Sequence, residues 1–394
     1  MIINRQTWCI TSDTQGIHNS IRSHQPSYLA DDDDDADYIL IEFKDAEDFK
    51  TTAIHTLIAP RLLERIQNPT DNLHLLLSNT HEAFHSCVEP IYNFVLNRYG
   101  IPEHKCVLYS NSFDIVKEVE YVANNYQMKQ IKVKLIMVFE QAAKEQLKYL
   151  LRTDQNYTET LVNKEYNKAY LNLNRRWRLH RPVLVAMLAA KGLLDDGHIS
   201  LAPADDDKCW DTPSLWDSIE TVIGRYPVID NILTPNKTFI KNLPFMYLDT
   251  TDLKTNRAEI TDTKLNKFYT DTYFSVISET NYFKDFKGFE TGRFLSEKTF
   301  KAIAYRHPFI VVSVPKILVS MRSIGYKTFS PYIDESYDLI DNDGDRLAAI
   351  ADEIARLSNL EGTELTHFLN GAREITNYNY NVFIKKQKYI HRLN

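Results

Sequence analysis

The sequence predicts an α/β protein with two domains, each built on a mostly parallel, doubly wound β-sheet. Three observations favour this class. The chain has 394 residues, which is enough for two or three domains with separate cores. Apolar residues make up 43% and charged residues 25% of the chain, as is ordinary for globular proteins. Short apolar strands alternate with segments of helical periodicity, first in residues 38–139 and again from residue 168 onward.

The first predicted domain spans residues 1–164. Its predicted strands are short apolar runs, and the segments between them carry apolar residues three and four positions apart, a spacing typical of helices. We expect strands at 38–43, 73–77, 106–109 and 131–139, and helices near 54–66, 81–99 and 115–126. The acidic run at 30–37 is interpreted as a solvated loop, because its charges repel one another.

The second predicted domain spans residues 165–375 and repeats the alternation of strands and helices. We expect strands at 168–174, 198–201, 273–278 and 307–314, and helices at 182–194, 296–306, 315–326, 345–357 and 363–375. Residues 202–260 have mixed patterns and are interpreted as an insertion. Residues 376–394 are interpreted as a basic C-terminal tail.

Several classes of protein are disfavoured by composition. The net charge of -7 argues against a general nucleic-acid coat protein, although a local basic groove remains compatible with it. No run of 18 apolar residues is present, so no membrane span is expected. The four cysteines form no CxxC pair, and no secretory signal is visible, which together favour a reducing, cytoplasmic setting without a structural metal. Neither a GxGxxG nor a Walker loop occurs.

The most informative segment joins a predicted strand to a predicted helix in the second domain. The strand ends at Ser278, and Glu279 follows at its carboxyl end. The helix begins after Ser296, and Lys298 lies in its first turn. Free backbone N–H groups, the helix dipole and an ammonium group together suit a diphosphate. Glu279 and Glu297 are then available to accept hydrogen bonds from ribose or sugar hydroxyls. The alternative is an ordinary capped helix with Lys298 in solvent.

A second segment, NRRWRLHR at 174–181, places four arginines and a histidine between a strand and a helix. Arginine side chains bind phosphate oxygens with two parallel hydrogen bonds, so this turn is a candidate phosphate site. A surface basic loop is one alternative. Contact with DNA is another, because Trp177 is available for stacking.

A third segment, SNTHE at 78–82, follows a buried strand of the first domain and gathers polar side chains at its carboxyl end. Asn111 ends a neighbouring predicted strand in the same way. An ordinary capping box at the start of a helix is the alternative interpretation of this segment. His81 and His85 have the spacing of a zinc pair, but no third ligand is evident, so no metal site is expected.

The segments FSVISET and FLSEKTFKAIAYRHPFIVV resemble the donor-binding signature of GT-B glycosyltransferases, most closely that of the fucosyltransferase type. Glu279 matches the first glutamate of that signature, residues 296–298 match its T-E-K, and Pro308 matches the proline before its last strand. The chain departs from the signature at Thr280, where Asn is usual, and at residues 306–307, where a Gly is usual. In its NRRWRLHR and SEKTFKAI segments the chain also resembles a group of uncharacterised bacteriophage glycosyltransferase-like proteins.

This resemblance covers roughly residues 168–330 and implies a GT-B-like fold, with two Rossmann-like domains facing across a cleft. It implies that the C-terminal domain binds the donor through Asn174, Arg178, Arg181, Glu279, Ser296, Glu297 and Lys298. It implies that the N-terminal domain binds the acceptor through Ser78, Asn79, His81 and Asn111, with Glu82 as the general base.

The function that the resemblance implies is transfer of a sugar from a nucleotide-diphosphate donor to a hydroxyl acceptor. The expected reaction inverts the anomeric centre and needs no metal or other cofactor, because basic residues neutralise the leaving group. A hydroxymethylated base in phage DNA is one expected acceptor, which would place the protein in the host cytoplasm, and a surface glycan is another. A non-catalytic nucleotide- or nucleic-acid-binding protein is the alternative from a different class.

Overall fold

The computed structural model confirms an α/β protein with two Rossmann-like units. Contacts divide the chain into two units. The first consists of the described parts of Met1–Gln141, Phe289–Phe294 and Gln387–Asn394. The second consists of the described parts of Ala142–Gly288 and Leu295–Lys386. The structure describes residues 7–10, 38–42, 58, 60–79, 88–154, 157, 164–174, 177–201, 214–244, 246, 248, 266–283, 292–386 and 390–392.

The strands are listed in chain order: β1 Thr7–Ile10, β2 Tyr38–Glu42, β3 His74–Asn79, β4 Cys106–Ser110, β5 Lys132–Ile136, β6 Lys168–Asn174, β7 Gly197–Leu201, β8 Thr272–Ser278, β9 Phe309–Val312 and β10 Ile390–Arg392. They are rich in β-branched and aromatic residues, which favour the pleated backbone.

The helices are α1 Pro60–Gln67, α2 Val88–Pro90, which continues as the π-helix Ile91–Asn97, α3 Ile115–Asn125, α4 Val138–Thr153, α5 His180–Ala190, α6 Leu215–Ile219, α7 Pro227–Leu233, α8 Lys237–Lys241, α9 Asn266–Asp271, α10 Glu297–Ala304, α11 Ile317–Ser323, α12 Asp343–Ser358 and α13 Gly362–Lys385. Short 3₁₀ turns occur at Glu103–Lys105, Leu194–Asp196, Glu220–Val222, Thr234–Asn236 and Glu335–Leu339.

The first unit contains the sheet β1-β2-β3-β4-β5-β10. Strands β1 to β5 pair in parallel, and β10 pairs antiparallel to β5. Leu75 and Leu77 of β3 point into the same buried cluster as Ile91 of the π-helix and Val119 of α3. Leu76, between the two leucines in sequence, belongs to a smaller cluster, as the two-residue period of a strand requires.

The second unit contains the parallel sheet β7-β6-β8-β9. The chain passes from β6 outward to β7 and then returns to place β8 on the other side of β6. The connections after β6 and β8 therefore leave in opposite directions, which makes a topological switch point. In open α/β sheets, ligands bind in the crevice outside the carboxyl ends of the strands at such a point.

Helix α5 forms the centre of the second unit. Its residues from His180 to Ala189 are all buried, and it packs on α6, α7 and α12. A helix that is apolar on all sides is stable only when other elements surround it. The helices within residues 202–260, which we interpreted as an insertion, therefore help to cover the core of this unit.

The chain differs from the predicted boundaries in three places. The run at 131–139 is not one strand, since β5 ends at Ile136 and α4 begins at Val138. The last helix continues through residues 376–385, because Tyr380 and Phe383 remain buried, and Phe383 stacks on Phe300. The described residues of 142–164 group by contacts with the second unit, where the Tyr157 hydroxyl donates to the backbone oxygen of Ala304 at 3.3 Å.

Candidate functional site

The seven residues predicted to bind the donor all lie at the switch-point crevice of the second unit. Asn174 ends β6, and Arg178 and Arg181 lie in the turn and helix that follow it. Glu279 follows β8, and residues 296–298 open α10. Since β6 and β8 are hydrogen-bonded neighbours, the sheet brings together two segments that are about 100 residues apart in sequence.

Glu279 is fully buried and caps α10. Its Oε1 accepts hydrogen bonds from the Ser296 N–H at 3.1 Å and from the Thr299 hydroxyl at 2.7 Å. A carboxylate at this end of a helix is favourable because it meets the positive end of the helix dipole. The second oxygen, Oε2, is buried and has no hydrogen-bond partner among the described residues.

The first turn of α10 is therefore already capped. Ser296 is the N-cap, as predicted, and its hydroxyl accepts from the Lys298 N–H at 3.3 Å. The Glu297 carboxylate accepts from its own backbone N–H. The sequence led us to expect free N–H groups here that receive a diphosphate. Instead the N–H groups of residues 296, 297 and 298 are all engaged, and Glu279 holds the position where an anion would sit.

Two charged side chains at the start of α10 reach solvent. Lys298 Nζ lies 3.1 Å from the Ser296 hydroxyl and 3.2 Å from Glu297 Oε1. Burial alone raises the pKa of the Glu297 carboxyl, but attraction to Lys298 and, more weakly, to Arg181 lowers that pKa below its ordinary value. Glu297 is therefore ionised at neutral pH, and Lys298 is the cation nearest to it.

The two arginines have different roles. Arg181 is buried, and its Nη2 donates to the backbone oxygens of Ser278 at 2.9 Å and Glu279 at 3.4 Å, so it fixes the end of β8. Arg178 is only partly buried, and its Nη1 donates to the Trp177 backbone oxygen at 3.0 Å. Arg178 is therefore the better placed of the two to contact a ligand.

His180 was not among the predicted residues, although it lies in the basic turn that we singled out. Its ring is buried, stacks on Tyr282 at 5.1 Å, and donates to the Glu279 backbone oxygen. Burial and the neighbouring Arg181 lower the pKa of His180 well below its ordinary value. The ring is therefore neutral, and its Nε2, which has no partner among the described residues, is a hydrogen-bond acceptor.

Asn174 adds a third acceptor. Its Nδ2 donates to Asn172 Oδ1, and Asn172 Nδ2 donates in turn to the Val276 backbone oxygen at 2.8 Å. This chain of hydrogen bonds fixes the orientation of the Asn174 amide. Its Oδ1 is buried and, like His180 Nε2 and Glu279 Oε2, finds no partner within the described part of the chain. A buried acceptor without a partner is costly, so each of these three atoms would gain from a hydrogen-bond donor, such as a water or a ligand hydroxyl.

The predicted acceptor residues in the first unit also share one sheet edge. Ser78 and Asn79 end β3, Asn111 directly follows β4, and all three are buried. Asn79 lies opposite Ser110 in the register of β3 and β4. His81 and Glu82, the predicted base, lie outside the described residues, as do His85 and the acidic run at 30–37.

Within the residues that the structure describes, no group of three or more His, Cys, Asp or Glu side chains is arranged to hold a metal ion. Over the same residues, no helix has the length and apolar character needed to cross a membrane.

Comparison with known proteins finds similarity only at the level of structure. No protein-family model and no curated protein sequence matches the chain. An UDP-forming trehalose-phosphate synthase from Burkholderia xenovorans is similar over 88% of this chain and 71% of its own, with a TM-score of 0.43 and 8% identity. A glycosyltransferase from Rickettsia africae matches over 97% and 96%, with a TM-score of 0.42 and 12% identity. An E. coli protein solved with UDP-2-fluoro glucose matches over 97% of both chains, with a TM-score of 0.41 and 9% identity.

Proposed function

We propose that this protein is a glycosyltransferase that moves a sugar from a nucleotide-diphosphate donor to a hydroxyl acceptor. The observation that carries the proposal is the set of three buried acceptor atoms at the switch point: Asn174 Oδ1, His180 Nε2 and Glu279 Oε2. Ribose and sugar hydroxyls are the donors that such a set needs, because each O–H satisfies one acceptor and several lie close together on one ring.

The cations around these acceptors suit the diphosphate. Among the described residues of this crevice, Lys298 and Arg178 are the basic side chains that are partly exposed. We assign the phosphate oxygens to them rather than to the N–H groups of α10. This assignment follows from the capping by Glu279, whose negative charge opposes an anion at the helix start. As the sugar leaves, charge grows on the diphosphate, and Lys298 and Arg178 stabilise it there.

We further propose that displacement is direct and inverts the anomeric centre, that no metal or other cofactor takes part, and that Glu82 removes the proton of the acceptor hydroxyl. Ser78, Asn79, His81 and Asn111 are the proposed acceptor contacts. A hydroxymethylated base in DNA and a surface glycan are the two acceptor classes to test. A DNA acceptor requires that the base be flipped out of the duplex.

The test is a panel of UDP- and GDP-sugars, each incubated with the protein while release of UDP or GDP is measured. We expect slow release from one donor even without an acceptor, and loss of release in Lys298→Ala. Lys241→Ala, which removes an exposed lysine from α8 of the same unit, is the matched control. Donor binding without any release would favour the non-catalytic binding protein. Equal release by wild type and Lys298→Ala would refute the phosphate assignment.

A further inference from the structure

We propose a second anion site on the opposite edge of the second sheet, formed by Lys164, Arg306 and Arg373, which binds a phosphate dianion. Lys164 lies just before β6, and Arg306 lies between α10 and β9, so both belong to the amino-terminal edge of the sheet. The length of β6, about 20 Å at the usual rise of a strand, separates this cluster from the switch-point crevice.

The first observation is the concentration of positive charge. Lys164 Nζ donates to the backbone oxygens of Tyr305 and Arg306, each at 3.3 Å, at the end of α10. Arg306 and Arg373 are the charged groups that act on Lys164, and both repel its ammonium. The carboxylates next in sequence, Glu165 and Glu374, are exposed.

The second observation is the backbone of Arg306. This residue has a φ of 48°, in the left-handed region where a side chain is strained. The Arg306 N–H donates to the Ile303 oxygen and the His307 N–H to the Ala302 oxygen, each at 3.0 Å, which is a Schellman ending of α10. Glycine is the usual residue at this position. An arginine at this position carries backbone strain that glycine would avoid.

The third observation is an unsatisfied donor. The Arg306 guanidinium lies 4.1 Å from the centre of the Tyr380 ring. Its Nε is buried and has no hydrogen-bond partner in the described part of the chain. A buried N–H without a partner is costly, and an anion oxygen would satisfy it.

The electrostatics of Lys164 agree with this geometry. Burial, followed by repulsion from Arg306 and Arg373, lowers the pKa of Lys164 to about 7. A dianion between the three side chains would relieve that repulsion and raise the pKa of Lys164 again. Phosphate binding therefore makes the lysine less nucleophilic at neutral pH, which gives a local readout of the site.

The experiment uses inorganic phosphate, with chloride at equal ionic strength as the reference. The full-length protein is labelled with acetic anhydride at pH 7.5, and the rate at Lys164 is followed by peptide mass spectrometry. We expect phosphate to slow labelling of Lys164, and we expect Lys298→Ala to keep this protection. Loss of the protection in Lys298→Ala would place the phosphate at the switch-point crevice and overturn the proposal.

Arg306→Gly separates binding from folding. It relieves the left-handed strain, so we expect a higher melting temperature together with phosphate binding that is about tenfold weaker or more. Lys316→Gly is the matched control, because Lys316 is an exposed basic residue of the same unit with a φ of 65°. It should also raise the melting temperature but leave phosphate binding unchanged. Unchanged phosphate binding in Arg306→Gly would show that Arg306 has only a structural role and would overturn the proposal.

Discussion

Replacing Glu279 with glutamine tests the site most sharply, because the two carboxylate oxygens have different tasks. Oε1 caps α10 through Ser296 and Thr299, and Oε2 is the buried acceptor proposed for a donor hydroxyl. Glutamine keeps an oxygen for the cap. Loss of the negative charge at the helix start costs about 1 kcal/mol of folding stability.

The effect on donor binding is expected to be larger. In Glu279→Gln an amide NH₂ replaces Oε2, so the charge-assisted hydrogen bond from the ligand hydroxyl is lost. Such a bond contributes about 1.5–3 kcal/mol. This free energy corresponds to a Kd that is weaker by roughly 10- to 150-fold. The assays are urea unfolding for stability and isothermal titration with the nucleotide sugar that the release panel identifies.

Thr299→Val provides the matched control. It removes the hydroxyl that donates to Oε1 at 2.7 Å, so it weakens the cap while leaving Oε2 in place. We expect a loss of about 1 kcal/mol in stability and a donor Kd within about threefold of wild type. The assignment of Oε2 as a ligand group is refuted if folded Glu279→Gln binds the donor as wild type does. It is equally refuted if both variants lose the same affinity.

Three further predictions concern the second unit. The buried carboxylate of Asp343 lies 2.6 Å from the buried guanidinium of Arg346. Arg346→Met leaves this carboxylate without its partner, so urea unfolding should show a free energy of unfolding that is lower by about 3–5 kcal/mol. A smaller loss than about 1 kcal/mol would show that the pair is not a buried ion pair in solution. Burial and repulsion from Lys164 hold the pKa of His307 well below its ordinary value. The folded ring therefore stays neutral, while the unfolded ring becomes protonated below pH 6.5. Because the unfolded state then binds more protons, the free energy of unfolding falls as the pH drops through this range. Wild type should lose about 1.6 kcal/mol more than His307→Gln between pH 6.5 and 5, with a slope that approaches about 1.4 kcal/mol per pH unit at the acidic end. Parallel urea midpoints for the two proteins would contradict this. In Gly344→Ala the new alanine Cβ would lie 2.6 Å from the Cβ of Tyr226. The melting temperature should therefore fall, despite the gain in helix propensity. An unchanged or higher melting temperature would exclude that clash.

Local patterns were sufficient for much of the fold. β6 and β8 are apolar runs with few alternatives, and their C-terminal residues match the predicted limits. The Ser296 N-cap also followed from sequence, because a hydroxyl directly before a helical pattern is a local signal. Asn174 and Glu279 were assigned to one site through the resemblance to the glycosyltransferase signature. That β6 and β8 are neighbours, so that the two residues lie at one sheet edge, is seen only in the structure.

The remaining features depend on contacts between distant segments. The capping of α10 by Glu279 joins residues 17 to 20 positions apart, and no local pattern distinguishes that from a ligand-binding glutamate. The pairing of β10 with β5 and the continuation of α13 beyond residue 375 depend on partners elsewhere in the chain. His180 lay in a segment that we had singled out for its arginines, and only tertiary packing on Tyr282 shows that its ring is buried and neutral.

A crystal structure with the bound nucleotide sugar tests the central claim most directly. It should place ligand hydroxyls within about 3 Å of Glu279 Oε2 and of at least one of Asn174 Oδ1 and His180 Nε2, with phosphate oxygens at Lys298 or Arg178. Donor density at another place on the chain, or in this crevice with Glu279 Oε2 still unpaired, would contradict it.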